Sequence, residues 1–335
     1  MTARLGMAFS GGPSPAEIAS LIGLADELGY ESAWVAEGHG GDQFAVLAAA
    51  ALQSKRIVLG TGITSVFVRT APTIAMAAAT VDDVSGGRHI LGIGSSHRVQ
   101  VEGEHGIPYS KPLTRTRETV ELIRALLHDG RAAYNGQTFS IDNFELWFKP
   151  YRPTLPIYIS AVFPKMVALC GEIADGIILT RSTVKTAPEI RAQLAAGART
   201  VGRDPSAITI VTLLPTIVAD TKQEALAALR PGLAFYAGFF PRYNKLMAEH
   251  GFAEEAAAIA EAFTRGDRAA AERATSDRMI DATSIAGTPA QCRERIEEYR
   301  ASGIDVPVLS PYARGPSSKA IFEAVIRACA PRGST

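Results

Sequence analysis

No charge of either sign is in surplus. The 34 Lys and Arg residues are matched by 34 Asp and Glu, so the formal net charge at pH 7 is zero. With no run of like charges, that balance argues against nucleic acid or an acidic membrane as the main partner, and it leaves no net repulsion against self-association. Cysteine is scarce: Cys170, Cys292 and Cys329 lie far apart and none belongs to a CxxC pair. That argues against a disulfide framework and suits a reducing compartment. Long hydrophobic runs are missing as well. The apolar window FAVLAAAAL at 44–52 is too short to span a bilayer, and the N-terminal MTARLGMAFSGG holds no apolar stretch of signal-peptide length. A cytoplasmic protein without membrane attachment is therefore expected. Metal-ligand spacing is absent too. The histidines at 39, 89, 97, 105, 128 and 250 form no HxH or HExxH pattern, so no metal site is expected.

What is present is alternation. The chain has 335 residues, 47% of them hydrophobic, which is ample for a large core. Short apolar runs predict strands over 4–10, 31–37, 56–63, 89–94, 156–161, 176–180, 207–218 and 304–310. Most are separated by segments of helical periodicity. Ser14 and Pro15 predict a helix cap, as do Gly287-Thr288-Pro289. The rhythm breaks in three places: a polar Gly- and Pro-rich loop at 95–112, a hairpin turning at Asn135-Gly136, and a helical excursion over 220–283 with breaks expected at Pro231, Gly238, Pro241 and Gly251. Apolar strands without polar alternation are buried on both faces. Eight such units point to an α/β fold, a (β/α)8 TIM barrel with insertions after strands 4 and 7. The expected organisation is a single domain over 1–335, with insertions at about 95–112, 131–153 and 230–283. A doubly wound sheet is the competing architecture, but no Rossmann glycine fingerprint opens the first helix.

In such a barrel function sits at the carboxyl ends of the strands. Those ends hold Phe9 and Ser10, Glu37 with His39, Thr61 to Ile63, Gly94 to His97, Ser160 and Ala161, and Thr180 with Arg181. Glu37 is the one carboxylate among them, so no acid pair for glycoside hydrolysis is available. Small residues and bare backbone suit a rim that holds a large flat cofactor and leaves the chemistry to it. The stretch RIVLGTGITSVFVRTAP at 56–72 is the extreme case, a core strand that thins to Gly60-Thr61-Gly62 as it nears the surface.

Several segments together resemble the bacterial luciferase-like superfamily, and within it the deazaflavin-dependent reductases similar to methylenetetrahydromethanopterin reductase. They are ESAWVAEGHGGDQF, RIVLGTGITSVFVRTAPTIAMAAATVDDVSGGRHILGIGSS, VEGEHGIPYSKPLTRTRETVELIRALL, EIADGIIL and IAGTPAQCRERIEEYRASGIDVPVLSP. The resemblance implies a non-prolyl cis peptide at Gly62–Ile63, with the backbone there pressed against the middle ring of a flavin or deazaflavin. It implies a cofactor site of Phe9, Glu37, Thr61, Gly62, Ile63, Gly94, Ser95, Ser160, Ala161 and Lys165. The segment SAVFPK at 160–165 matches the phosphate-binding region of relatives, although Phe163 stands where they carry glycine. Candidate catalytic groups are Glu37, His39 and His97. Histidine is a residue type suited to relaying a proton, but for His39 a glycine-flanked loop histidine is the plain alternative. Ser95 occupies the position where sugar-phosphate dehydrogenases of this family carry a glutamate, which argues against a sugar-phosphate substrate.

The expected activity is hydride transfer to or from a small organic substrate with the deazaflavin coenzyme F-420. One alternative is a two-component monooxygenase using FMN reduced by a separate flavin reductase. Another is a barrel that binds a flavin without turnover. A homodimer is implied by the resemblance, through helices beside strands 2 and 3. Phe235, Tyr236, Phe239, Phe240 and Tyr243 are expected either to line an apolar pocket or to pack between helices.

Overall fold

The apolar runs become strands because each is buried on both sides. A computed structural model describes residues 4–331 apart from 314 and 316. The strands are β1 Gly6–Phe9, β2 Ser32–Val35, β3 Val58–Thr61, β4 Thr64–Ser65, β5 His89–Gly94, β6 Arg131–Asn135, β7 Ser140–Glu145, β8 Ile157–Ser160, β9 Gly176–Thr180, β10 Thr209–Val218, β11 Ile285–Gly287 and β12 Val306–Pro311. Parallel pairing runs β1–β2–β3–β5–β8–β9–β10–β12. The ring closes where β12 pairs with β1, Gly6 opposite Val308 and Met7 opposite Leu309. This is the TIM barrel. β4 continues β3 after a two-residue interruption and pairs with β5, and β11 pairs with the end of β10. β6 and β7 form an antiparallel hairpin of their own.

The helices are α1 Pro15–Glu27, α2 Gln43–Gln53, α3 Ala71–Val84, α4 Arg98–Gly103, α5 Pro112–Asp129, α6 Pro164–Ile173, α7 Ala187–Thr200, α8 Lys222–Phe239, α9 Pro241–Glu249, α10 Ala253–Thr264, α11 Arg268–Ala274, α12 Asp277–Ala282, α13 Pro289–Ala301 and α14 Ser318–Ala328. Ser14 caps α1 in a reciprocal box: Glu17 N donates to Ser14 Oγ at 3.3 Å and Ser14 N donates to the Glu17 carboxylate at 2.8 Å. Thr288 and Gln291 do the same for α13. Each box satisfies two amides that the first turn leaves unpaired.

Strand alternation divides the apolar residues into two layers. Trp34, Tyr158, Ile178, Val211, Val306 and Val308 fill the barrel. Their neighbours, such as Ala33, Val35, Ile157, Ile177 and Leu309, face the helices. Inside the barrel, large rings sit against glycines. A Cβ at Gly60 would come 2.4 Å from Trp34 Cε3, and one at Gly176 would come 2.6 Å from the Tyr158 ring. Position 60 is thus thin to make room for Trp34. A third cluster, including Leu226, Leu229, Leu233, Met247, Ile259 and Met279, is the core of the α8–α12 excursion.

Two local expectations fail. Helix α8 runs through both Pro231 and Gly238. Ala225, Leu226, Leu229, Leu233 and Ala237 are buried on either side of the proline, so packing carries the helix past the lost hydrogen bond. Gly238 permits close approach, since a Cβ there would meet the Phe263 ring at 2.2 Å. The polar stretch 95–112 is not all loop, because α4 forms within it around fully buried Val101. All three cysteines are free and buried. Among the described residues no helix is long and apolar enough to cross a membrane, and no group of three or more metal-ligating side chains converges.

Candidate active site

The carboxyl ends of the strands meet beneath the α8–α12 excursion and border an open cavity of ≈ 1530 Å³. A deeper chamber of ≈ 180 Å³ shares Ser10, Gly62, Ile63, Ser160, Tyr236 and Tyr243 with it. Gly62 and Ile63, the interruption between β3 and β4, border both spaces, and the peptide bond between them is cis. The segment is anchored on either side. Gly62 N donates to Val35 O at 2.8 Å. Thr61 Oγ1 donates to Gly92 O at 2.7 Å and accepts from Gly92 N at 2.8 Å.

Nine of the residues expected at the site line the cavity: Glu37, His39, Gly62, Ile63, Ser95, His97, Ser160, Ala161 and Lys165. Three do not. Phe9 is buried and stacked on Phe322 at 5.6 Å, on the helix side of the barrel. Thr61 is fully buried in the barrel wall. Gly94 lies under Ile63 and Ser160, where a Cβ would meet each within 3.2 Å. The pleat decides this for Phe9 and Thr61, because adjacent residues of a strand face opposite ways and a list of strand ends takes in both; Gly94 is instead covered by the Ile63 and Ser160 side chains.

The candidate catalytic groups are occupied in different ways. Glu37 accepts from Ser65 N at 2.9 Å and pairs with Arg69, which also pairs with Asp42 at the cap of α2. Its carboxylate therefore ties the ends of β2 and β4 together. His39 is exposed, with Nε2 3.2 Å from a Glu104 carboxylate oxygen. His97 follows Ser96, whose φ is 53°, and its ring centroid lies 4.4 Å from that of Phe240 and 4.8 Å from that of Tyr243. Burial, assisted by nearby Arg242, lowers the His97 pKa to about 4. Near neutral pH this imidazole is uncharged: it can donate or accept a hydrogen bond, but it is not an imidazolium acid.

The aromatic residues of the excursion meet both expectations: they line the cavity, and Phe235 and Phe239 also pack between helices against Phe263 of α10. Phe235, Tyr236, Phe239, Phe240 and Tyr243 all line the cavity, and Tyr236 packs on Phe240 with centroids 5.3 Å apart. Burial, with Tyr236 beside it, raises the Tyr243 pKa to about 12, so its phenol stays protonated. Lys165, Arg242 and Lys245 line the cavity, Lys245 at 3.7 Å from the carboxylate of Glu249, which lines it as well. Lys165 lies in the first turn of α6, where backbone N–H groups also favour an anion. Arg242, Lys245 and Tyr312 were not singled out from sequence. They sit in a helical excursion and after a strand end whose inward faces are fixed only by tertiary packing.

A family model described as luciferase-like monooxygenase matches residues 1–306. The chain belongs to the luciferase-like monooxygenase family. Within that family it is 31% identical over 322 residues to a 5,10-methylenetetrahydromethanopterin reductase of Archaeoglobus fulgidus, a match covering 94% of this chain and 95% of the relative. It superposes on the coenzyme F-420-dependent tetrahydromethanopterin reductase of Methanopyrus kandleri with a TM-score of 0.85 and 27% identity, covering 98% of each chain. An F-420-dependent secondary alcohol dehydrogenase, solved with an F-420–acetone adduct, shares the luciferase-like fold. Its TM-score is 0.78 at 22% identity, over 98% of this chain and 99% of that one. Arg115, Arg117 and Glu118, in one of the segments carrying the resemblance, lie outside the cavity lining. They pin α5 to its neighbours through Val66 O, Glu172 and the Gln137 and Thr138 amides.

Proposed function

We infer that the protein is an oxidoreductase that uses the deazaflavin coenzyme F-420 to move hydride to or from a small organic substrate. The observation that carries this reading is the cavity itself. Its ≈ 1530 Å³ exceeds the usual 300–1,000 Å³ of a small-ligand pocket. Bare backbone at Gly62 borders it, aromatic rings cover it, and Lys165 and Arg242 are among the cations that line it. A flat ring with a long anionic tail fits those surroundings. The similarity to F-420-dependent reductases along almost the whole chain supports this cofactor over FMN.

Gly62 and Ile63 would support the ring face. Ser95, Ser160 and Ala161 would meet its edge and the start of the tail, and Lys165 would meet the phosphate. When bound, a deazaflavin supplies a carbon centre that gives or takes hydride and reacts poorly with oxygen. The chain's own residues supply position and dryness. The Glu37–Arg69–Asp42 network holds the rim beside Gly62, the aromatic residues of α8 and α9 exclude water, and neutral His97 presents a hydrogen-bonding edge at the cavity wall. His39, exposed and tethered to Glu104, serves better at the entrance than as an internal proton relay.

A homodimer through the face beside β2 and β3 is part of this reading, supported by Leu52 at 79% and Met76 at 44% exposure on α2 and α3. A cytoplasmic setting accords with three free cysteines. The test is a fluorescence titration of purified apoprotein with the deazaflavin and, separately, with FMN. Tight binding of the deazaflavin alone is expected. Binding of FMN alone, with oxygen-dependent product formation, overturns the reading.

A further inference from the structure

Arg181 follows β9 directly, at the carboxyl rim of the barrel, yet it is only 6% exposed. Its φ is 51°, a region that non-glycine residues enter rarely and mostly where the surroundings enforce it. Two neighbours hold it there. Arg181 N donates to Leu213 O at 3.4 Å, and Arg181 O is hydrogen-bonded to His250 Nε2 at 3.1 Å. The side chain lines the inner chamber. Its guanidinium carbon sits 4.5 Å from the Tyr236 ring centroid. Among the described residues no carboxylate lies within ion-pair distance, and no acceptor takes a hydrogen bond from its N–H groups. Tyr236, Tyr243 and Tyr312 are the groups whose fields reach it. A guanidinium keeps its charge and offers five donors. Largely desolvated and without an acceptor among the described residues, it is costly to the folded chain; its nitrogens are not fully sealed in protein and open onto the chamber. Stability does not explain such a group, whereas a ligand oxygen would.

We propose that the inner chamber is the subsite for a carboxylate, or a comparable compact oxyanion, on the substrate, held by Arg181 with help from the Tyr243 and Tyr312 hydroxyls. The chamber is small and opens into the larger cavity, and it shares Gly62 and Ile63 with the wall assigned to the cofactor. An anion seated there lies beside that platform. The inference rests on the deazaflavin reading only for what the anion is presented to. It narrows the substrate class to organic acids whose reducible carbon stands close to the acid group. A reduced deazaflavin ring also carries delocalised negative charge on its oxygens, so the test must separate the two sources.

Calorimetric titration of the apoprotein and of the deazaflavin-loaded protein with benzoate, and with benzamide as the neutral shape match, provides that test. Benzoate is expected to bind at least tenfold more tightly than benzamide. Arg181→Met abolishes the preference, and Arg181→Lys retains part of it. Deazaflavin affinity, read from its own fluorescence, stays within about threefold in both variants, and the melting temperature of Arg181→Met is not lower than that of the parent. Equal binding of benzoate and benzamide, no benzoate binding to either form, or undiminished benzoate preference in Arg181→Met overturns the proposal. So does a clear fall in the melting temperature of Arg181→Met, which would make the arginine structural. Weakened deazaflavin binding with benzoate unaffected assigns the oxyanion to the cofactor and also overturns it. If the parent protein fails to bind deazaflavin while benzoate binding still depends on Arg181, the cofactor reading falls and the anion subsite stands.

Discussion

The indole of Trp34 occupies the space that a side chain on Gly60 would need, with a Cβ at 60 only 2.4 Å from Trp34 Cε3. Trp34 is 1% exposed and its Nε1 donates to Ser32 Oγ at 3.0 Å, so the ring cannot step aside. Gly60→Ala is therefore expected to destabilise the protein by about 1–3 kcal/mol through overpacking, measured by equilibrium denaturation. Gly62→Ala should behave differently. Its Cβ would meet Trp34 Cβ at 3.3 Å, a tight contact but far less severe than the clash at Gly60, and the added methyl would stand at the backbone where the cofactor ring is proposed to rest. Weaker deazaflavin binding with a smaller loss of stability is the expected result.

Glu37 and Arg69 form a pair whose side chains are 17% and 22% exposed. If the carboxylate holds the rim, Glu37→Gln and Arg69→Met should each cost stability, and the double variant should cost less than the sum. A coupling of about 1–3 kcal/mol is expected from a double-mutant cycle. Additive losses would show that Glu37 is not engaged by Arg69 in solution.

Two histidines make stability depend on pH. Burial lowers both His97 and His89 to about 4, from an unfolded value near 6.5. Each is neutral in the folded state, and its contribution is complete above pH 6.5. As the pH falls from 6.5 towards 4 the unfolded chain binds protons that the folded chain refuses, and stability is lost, up to about 3 kcal/mol per histidine. Denaturation between pH 7 and 4 should show this decline, and His97→Phe should make it shallower. No inflection from His97 is expected in rate–pH profiles between pH 6 and 8.

Lys165 is exposed at the first turn of α6. Lys165→Ala should raise the Kd for the deazaflavin by about three- to tenfold at low salt, an effect that largely disappears at about 0.5 M salt. A salt-independent loss would place the lysine's contribution in packing rather than charge.

The fold was legible because each barrel strand is a short apolar run closed by polar or turn residues: HILGIG and GIILT were read with the bounds the structure gives them, 89–94 and 176–180. The three-residue β11 was missed, since so short a run carries no periodicity. Pro231 misleads because a proline's local preference carries no information on the buried faces on both sides of it. In the site, Gly62, Ser95 and Ser160 line the cavity, but Gly94 lies beneath Ile63 and Ser160, Phe9 and Thr61 turn away, and no sequence pattern tells which way a terminal residue points. Arg181 stood in plain view after GIILT. What sets it apart is the lack of an ion-pair partner among the described residues, a property of the folded molecule alone.

The aromatic cover of the cavity belongs to a segment with its own apolar interior, joined to the barrel chiefly through the ends of β10 and β11. Changes to residues 222–282 can thus remodel what is admitted without disturbing the Trp34 and Tyr158 packing that shapes the floor. Over evolutionary time such a division lets one inherited piece of redox machinery be fitted with new tastes.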